Sequence, residues 1–243
     1  MSQNYSQESG SNVARISVSF VKWPKPDGFI AMKMCHFKHH KETPDSIYKI
    51  IDTFSNATPH VPVHRRETVF QSLMVTCGVT ESLHIGWLTL AVKHVVAQRG
   101  DNIQDPTDYF DLMTSLIGRF SVREIIDSSV KMASYLSQIK FKMTPDDLKK
   151  DKILDTNMTQ DDIINFHYFI NFFMYRLYSS HDFIHGQLAR ITEEEELNLN
   201  EAYGTLLNKL LQYTEVRFRD RKSAILKICL APSQFARKRQ QKN

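Results

Sequence analysis

Apolar and polar residues alternate in two short runs in the first part of the chain. The first run is Ile16–Val21 and the second is Phe29–Phe37, with the turn-forming segment Pro24–Gly28 between them. A period of two is typical of a strand with one buried face, and a segment with proline and glycine favours a reversal of the chain. The pattern therefore predicts an antiparallel β-hairpin.

The next apolar residues have helical spacing. Thr43 offers a capping hydroxyl, Pro44 suits a first helical position, and apolar side chains follow at i, i+3, i+4 and i+7. They are Ile47, Ile50, Ile51 and Phe54. We therefore predict one short amphipathic helix here.

Two apolar runs then follow, at residues 69–76 and 83–96, separated around Gly78. Alternate residues place Val69, Leu73 and Val75 on one side of the first run, which predicts a strand. The second run also has nearly helical spacing, so we predict a strand for its first half and leave its second half open.

Past Gly100 the spacing is helical throughout. Ser121 with Glu124, and Thr192 with Glu195, have the spacing of a capping box. Buried stripes are predicted for the helices of this region. Their members are Phe110, Met113, Leu116, Ile117, Ile125, Ile126, Met132, Ala133, Leu136, Ile139, Leu199, Ala202, Tyr203, Leu206 and Leu210.

Aromatic residues are densest between Phe166 and Tyr178, in a helix that Thr159 is expected to cap. This helix is apolar on most faces, so we predict that it is central and buried. The charged segment Phe141–Met158 before it is predicted to be an exposed flexible loop. No internal repeat is visible.

These patterns predict an α+β fold, in which a small N-terminal antiparallel β unit with one or more helices precedes a mostly α-helical C-terminal half. The 42% of hydrophobic residues suffice for a sizeable core. The predicted divisions are a disordered N-terminus at 1–14, an α+β unit at 15–100, a helical unit at 101–231 and a basic disordered tail at 232–243.

The balance of basic and acidic residues is most uneven at the end of the chain. Residues 1–100 hold 11 basic and 7 acidic residues, residues 101–214 hold 11 and 18, and residues 215–243 hold 9 and 2. This asymmetry suggests an anionic partner, or self-association of unlike faces. The cluster Arg237, Lys238 and Arg239 in a polar tail has the residue types of a nuclear localisation signal, so an import receptor is a predicted partner. Contact with another polyanion and a merely solvating tail are the alternatives.

No catalytic motif is present, and the sequence predicts a protein that is not an enzyme and has no cofactor. Cys35, His36, His39 and His40 have zinc-binding side chains but fit no standard spacing. His181 and His185 are four residues apart, although the acid beside the first is Asp182 rather than the glutamate of metalloproteases. We therefore assign no metal ligand, and keep a metal-dependent enzyme that uses His181 and His185 as a distant alternative.

The polar character of the first residues bears on the compartment in which the protein is expected. The start of the chain is polar and no run approaches the roughly 20 apolar residues of a membrane span. Three scattered cysteines suit reduced thiols rather than a disulfide framework. We expect a soluble intracellular binding or assembly protein.

The order of predicted elements resembles that of rhabdovirus matrix proteins. A polar start is followed by a strand at Ile16–Val21, a capped helix at Pro44–Phe54, the basic loop His64–Arg66 and an apolar strand at Val69–Val75. The basic pI and the Arg237–Arg239 cluster suit the plant-infecting branch that replicates in the nucleus. The Pro-Pro-x-Tyr budding motif of the animal viruses is absent.

This resemblance implies a viral structural protein that self-associates, condenses the ribonucleoprotein and bridges it to membrane. Its partners would be the viral nucleocapsid or RNA and an anionic membrane surface, and it would be found in the host nucleus, the cytoplasm and the virion. The main alternative is an RNA-binding nucleocapsid or other viral structural protein. The candidate polyanion contacts are Lys22, Lys25, Arg65, Arg66, Arg217, Arg219 and Arg221.

Overall fold

The computed structural model describes residues 20–22, 30–32, 44–99 and 105–217. Most of this part of the chain is α-helical. The helices are α1 Pro44–Ala57, α2 Val63–Cys77, α3 Val79–Ala97, α4 Pro106–Ser115, α5 Val122–Gln138, α6 Pro145–Lys150, α7 Gln160–Ser179 and α8 Glu193–Arg217. Three 3₁₀ turns (Thr58–His60, Leu116–Arg119, Leu188–Arg190) and a π-helix (Asp182–Gln187) lie between them. None of the described helices has both the length and the apolar character needed to span a bilayer.

Two three-residue strands form a separate small element. β1 Phe20–Lys22 pairs antiparallel with β2 Ile30–Met32, and Phe20 lies opposite Met32. The chain divides into two compact units between Lys41 and Glu42, so this pair and the helices belong to different units.

The predicted α+β fold is wrong, because the runs at 69–76 and 83–96 are not strands. They lie in α2 and α3, and the unit that begins at Glu42 is all-α in its described residues. Helix α3 has buried residues on all its sides, among them Leu83, Trp87, Leu90 and Val95. A helix of this kind carries no polar face, so neither a period of two nor one of 3.6 identifies it.

Helix α3 is the centre of the helical unit. It packs against α1, α2, α4, α5 and α7, which are elements from both sides of residue 100 in the sequence. Trp87 is fully buried on α3 and meets Phe173 of α7 edge to face, with ring centroids 5.2 Å apart. One hydrophobic core therefore joins residues that come before and after residue 100.

Glycine and serine shape the junction of α2 and α3. Gly78 has φ +83°, a backbone conformation that favours glycine and ends α2. The hydroxyl of Ser82 then lies 3.0 Å from the carbonyl oxygen of Met74 and 2.8 Å from that of Gly78. At Gly86 a Cβ atom would come within 2.8 Å of the Met74 side chain, so the absence of a side chain lets the two helices approach closely.

Capping boxes begin several of the helices. Ser121 and Glu124 cap α5 reciprocally, as predicted. Thr159 and Asp162 do the same for α7, which confirms the predicted cap. The Thr192 amide and hydroxyl both donate to Glu195, so the predicted pair is confirmed as well. The predicted stripes of α5 and α8 are also on the inner faces of those helices, with Tyr203 half-buried.

The segment 141–158 is more ordered than the predicted flexible loop. It contains α6, which has its own capping box. Asp151 accepts hydrogen bonds from the Tyr135 hydroxyl (2.7 Å) and from the amides of Ile153 (2.8 Å) and Leu154 (2.9 Å). The charged residues of this segment thus surround a fixed turn, in which Leu154 is buried.

Candidate interaction surface

An exposed aromatic face runs along α7. Tyr168, Phe172 and Tyr175 recur at i, i+4 and i+7, which places them on one side of the helix. Their exposed fractions are 39%, 50% and 37%. We call these three residues the α7 aromatic face.

This concentration is unusual within the described part of the chain. The other large hydrophobic residues that are exposed are Val63 and Val75 of α2 and Leu197 and Leu211 of α8. Single exposed apolar side chains are common on protein surfaces, whereas a contiguous group marks an interaction site more often. Tyrosine and phenylalanine are also enriched in protein interfaces.

Helix α4 supports one edge of the aromatic face. Phe110 stacks on Phe172 with centroids 5.6 Å apart, and meets Phe169 edge to face at 5.8 Å. Phe169 in turn stacks on the imidazole of His94, at 3.9 Å. The exposed ring of Phe172 is therefore held by the half-buried Phe110, which in turn contacts the half-buried Phe169.

His94, which stacks on Phe169, is itself held in place. Its Nδ1 lies 2.7 Å from the carbonyl oxygen of Pro106, and its Nε2 lies 3.0 Å from the Gln98 side-chain nitrogen. These contacts suit a neutral ring that donates from Nδ1 and accepts at Nε2. Burial lowers the pKa of His94, although the Pro106 carbonyl acts in the opposite sense. The neutral imidazole thus ties the end of α3 to the start of α4.

Helix α8 holds the other edge of α7. The hydroxyl of Tyr213 lies 2.6 Å from Nδ1 of the buried His167, and the two rings stack. Nearer the other end of α7, Tyr178 meets Tyr203 edge to face at 6.2 Å. Since α7 residue numbers rise as the partner numbers on α8 fall, the two helices run antiparallel at this edge.

An ion pair anchors the beginning of α7. Arg99, just after α3, contacts both carboxylate oxygens of Asp162 and donates to the carbonyl oxygen of Asn157 at 3.0 Å. Burial by itself would raise the pKa of Asp162, but the bonds from Arg99 and Thr159 outweigh it and hold the pKa below its ordinary value. The orientation of the aromatic face is thereby fixed relative to α3.

The prediction that α7 is buried on most faces is wrong, because one side of the helix is exposed. Phe166, Phe173 and Leu177 are fully buried, but Tyr168, Phe172 and Tyr175 are not. The spacing of the latter three was visible in the sequence. The signal for a surface was the pair of tyrosines, whose hydroxyls suit a side chain that reaches water at one end.

The predicted polyanion contacts stay a prediction, and the structure describes the surroundings of two of them. Arg65 is exposed on α2, whereas Arg66 is buried. Arg66 donates to the Val61 carbonyl (2.9 Å) and pairs with Asp108 (2.7 Å), so its guanidinium is engaged within the protein. Lys22 lies on β1 and Arg217 ends α8. Outside the described residues are Lys25, Arg219 and Arg221, and also Arg237, Lys238 and Arg239, for which nuclear import stays a prediction.

The histidine pairs form no metal centre in the described structure. The rings of His181 and His185 lie 4.6 Å apart at the beginning of the π-helix, where His181 is almost fully exposed. No group of three or more possible ligands surrounds a common point among the described residues. His36, His39 and His40 lie outside them.

The described helices of the unit that begins at Glu42 pack around one core and define an all-α protein. The HEATR1-like family of HEAT repeats matches residues 42–229, which is 188 of the 243 residues, and the chain belongs to that family. It is also similar to HEAT repeat-containing protein 1 of Danio rerio, with 26% identity over 200 residues. The aligned region covers 72% of this chain and 9% of that protein, so the chain spans less than a tenth of the length of this curated relative.

The family overturns the predicted relationship to rhabdovirus matrix proteins, and with it the viral structural function, the membrane bridging and the ribonucleoprotein condensation. The nucleocapsid alternative and the metal-dependent enzyme have no support either. The resemblance depended on an order of elements that included a strand at Val69–Val75. That segment is part of a helix, so the order was not that of a matrix protein.

Proposed function

We propose that this chain is a non-enzymatic helical scaffold that binds a protein through the α7 aromatic face. The observation that carries the proposal is the exposure of Tyr168, Phe172 and Tyr175 on a helix whose other sides are packed. Membership of a HEAT-repeat family supports it, because solenoid repeats use extended helix surfaces to bind their partners.

Rigidity of the surface also supports the proposal. Binding costs less when the contacting groups are already ordered. Phe172 stacks on Phe110 at one edge of the aromatic face, and α7 is tied to α8 through His167 and Tyr213 at the other. Arg99 fixes the beginning of the same helix. A partner would therefore meet rings that need little rearrangement.

The residue types favour a protein over a nucleic acid at this face. Single-stranded nucleic acid requires aromatic rings together with a basic groove. Here Arg176 is the basic residue on α7, and the acidic Asp161 and Asp162 begin the helix. A partner with an apolar, nearly neutral surface fits this composition better.

Site-specific photocrosslinking tests the proposal in cells. Benzoylphenylalanine is placed at Phe172, and in a control at Leu197, which is 74% exposed on α8. We expect discrete protein adducts from position 172 that exceed those from position 197, with the partner identified by mass spectrometry. Equal or absent crosslinking at positions 168, 172 and 175 would contradict the proposal.

A further inference from the structure

Four helices of the described structure begin with the same pattern, a hydroxyl residue that is followed by an acidic residue three positions later. The pairs are Ser121 and Glu124, Thr144 and Asp147, Thr159 and Asp162, and Thr192 and Glu195. All four hydroxyl residues are exposed, so exposure alone does not distinguish them. Acidophilic protein kinases select this spacing, because a basic substrate groove attracts acidic side chains that follow the acceptor hydroxyl.

The residues that follow Thr192 are the most acidic of the four sets. Positions 193–196 are all glutamate. By contrast, a basic residue lies two positions after Ser121, and a proline follows Thr144 directly. Thr159 is followed by one neutral residue and then by two aspartates. A kinase that selects its substrate by charge would therefore prefer Thr192.

The beginning of α8 can also unwind without exposing the core. An acceptor hydroxyl must reach the γ-phosphate of ATP inside the kinase cleft, so the residues around it have to leave the helix. Among the described side chains of α8, the first that is buried is Leu199, seven positions after Thr192. Leu197, on the preceding turn, is 74% exposed. Opening residues 194–197 therefore costs hydrogen bonds at the surface but no buried apolar contact.

The beginnings of the other three helices are packed. Val122, the first residue of α5, is buried, and Leu148 is buried within α6. In α7, Asp162 and Ile163 are both buried. Arg99 also pairs with Asp162, so the beginning of α7 is held from the end of α3. Extending any of these segments into a kinase cleft would remove residues from the core, so the structure favours Thr192 as the charge pattern does.

We propose that Thr192 is a phosphorylation site for an acidophilic serine/threonine kinase, a property that lies beyond the proposed binding face. In the reaction the Thr192 Oγ attacks the γ-phosphorus of ATP. The new O–P bond forms as the bond to the β-phosphate oxygen breaks, ADP leaves, and the hydroxyl proton passes to a carboxylate of the kinase. The product carries between about 1.5 and 2 additional negative charges at pH 7.

Incubation of the purified full chain with casein kinase 2 and ATP tests the proposal, with the modified positions mapped by mass spectrometry. We expect phosphate at Thr192, transferred at least about tenfold faster than to Ser121, Thr144 or Thr159, because those residues have weaker charge patterns and packed surroundings. Thr192→Val is the control, and its spectra should lack the phosphate on the peptide that contains position 192.

A conservative variant separates the charge from the fold. Glu195→Gln keeps the spacing of the capping box, since glutamine also caps a helix, but removes the acid that lies three positions after the acceptor. Phosphorylation of Thr192 should slow by about tenfold, because one attractive contact with the basic groove is lost. The melting temperature and the circular dichroism spectrum should match those of the wild type.

A second variant tests the role of packing. Arg99→Gln removes the cation that holds Asp162, so the beginning of α7 opens more often. Phosphorylation at Thr159 should then become faster than in the wild type, whereas the rate at Thr192 should not change.

Three results would overturn the proposal. The first is a wild-type chain that carries no phosphate at Thr192 after incubation with the kinase. The second is transfer to Thr159 as fast as to Thr192, since the packing of α7 would then have no influence. The third is an unchanged rate in Glu195→Gln, which would show that the acidic residues do not direct the reaction.

Discussion

Helices α3 and α7 are both rich in apolar residues, but their surroundings differ. Helix α3 has neighbours on all sides, and its largest side chain, Trp87, is fully buried. Helix α7 has a fully buried side at Phe166 and Phe173 and an exposed side at Phe172. The comparison shows that the apolar content of a helix does not determine its place in the fold. Contacts with the other helices determine which aromatic rings are buried in the unit and which stay exposed.

The largest expected effect distinguishes two adjacent phenylalanines of α7. Phe173→Ala should cost about 3–5 kcal/mol of unfolding free energy, because it removes a fully buried ring that contacts Trp87. Phe172→Ala should cost less than about 1 kcal/mol, because half of its ring is exposed. Urea denaturation of both variants measures the difference. Equal losses would mean that the aromatic face belongs to the core.

Lowering the pH should destabilise the helical unit, because His84 of α3 is protonated. Burial and the nearby Lys131 lower the pKa of His84 from 6.5 to about 4, against the opposing effect of Glu81. A lowered folded-state pKa means that the stabilising contribution is complete above pH 6.5 and is lost as the pH falls towards 4. The wild type should therefore lose about 1.4 kcal/mol per pH unit in this window, up to about 3 kcal/mol, relative to His84→Gln.

Denaturation curves between pH 4 and 7 check this expectation. The control is His181→Gln at an exposed position just before the π-helix, and this variant should be as stable as the wild type at each pH. Parallel curves for the wild type and His84→Gln would show that His84 is not the group responsible.

The ion pair between Arg99, just after α3, and Asp162 of α7 should have an intermediate effect on the free energy of unfolding. Arg99→Gln should destabilise by about 2 kcal/mol, because it leaves the carboxylate of Asp162 largely buried without its cation. Lys149→Gln is the control, since Lys149 and Asp146 form a highly exposed ion pair at 3.6 Å and should contribute less than about 0.5 kcal/mol. Chemical denaturation compares the two, and a loss at Arg99 as small as that at Lys149 would exclude a structural role for the ion pair of Arg99.

The smallest expected loss of stability comes from removing the side-chain cap at the beginning of a helix. Helix α3 begins at Gly78 without a side-chain cap, whereas Thr159 caps α7. Thr159→Ala should therefore cost about 1 kcal/mol. Thr53→Ala, at an exposed position inside α1, is the matched control and should change stability by less than about 0.5 kcal/mol. A melting temperature of Thr159→Ala equal to that of the control would contradict the assigned cap.

Local signals in the sequence predicted local structure well. The capping pairs at Ser121, Thr159 and Thr192 lie within three residues of their partners, so no knowledge of the fold is needed to find them. The stripe of α1 was predicted for the same reason, since Ile47, Ile50 and Ile51 are buried on one side. These features depend on residues that are close in sequence.

Features that depend on distant contacts could not be predicted in the same way. Nothing in the sequence of α3 shows that five helices surround it, and its uniform apolar character was therefore compatible with a strand. Likewise, the run from Phe166 to Tyr178 was identified as notable but was assigned to the core. Its exposed side follows from the positions of α4 and α8, which no short-range pattern contains. Arg66 was taken for a surface cation because its pairing with Asp108 joins positions 42 residues apart.

The central position of α3 also bears on how such a unit evolves. A regular solenoid lengthens or shortens by whole repeats, because each repeat contacts only its neighbours. Here α3 contacts helices that come before it and after it, as far along the chain as α7. Deleting or duplicating one helical hairpin would expose part of α3 or displace a neighbour. This region of the family is therefore expected to be inherited as one block, with length changes confined to the connections between its helices.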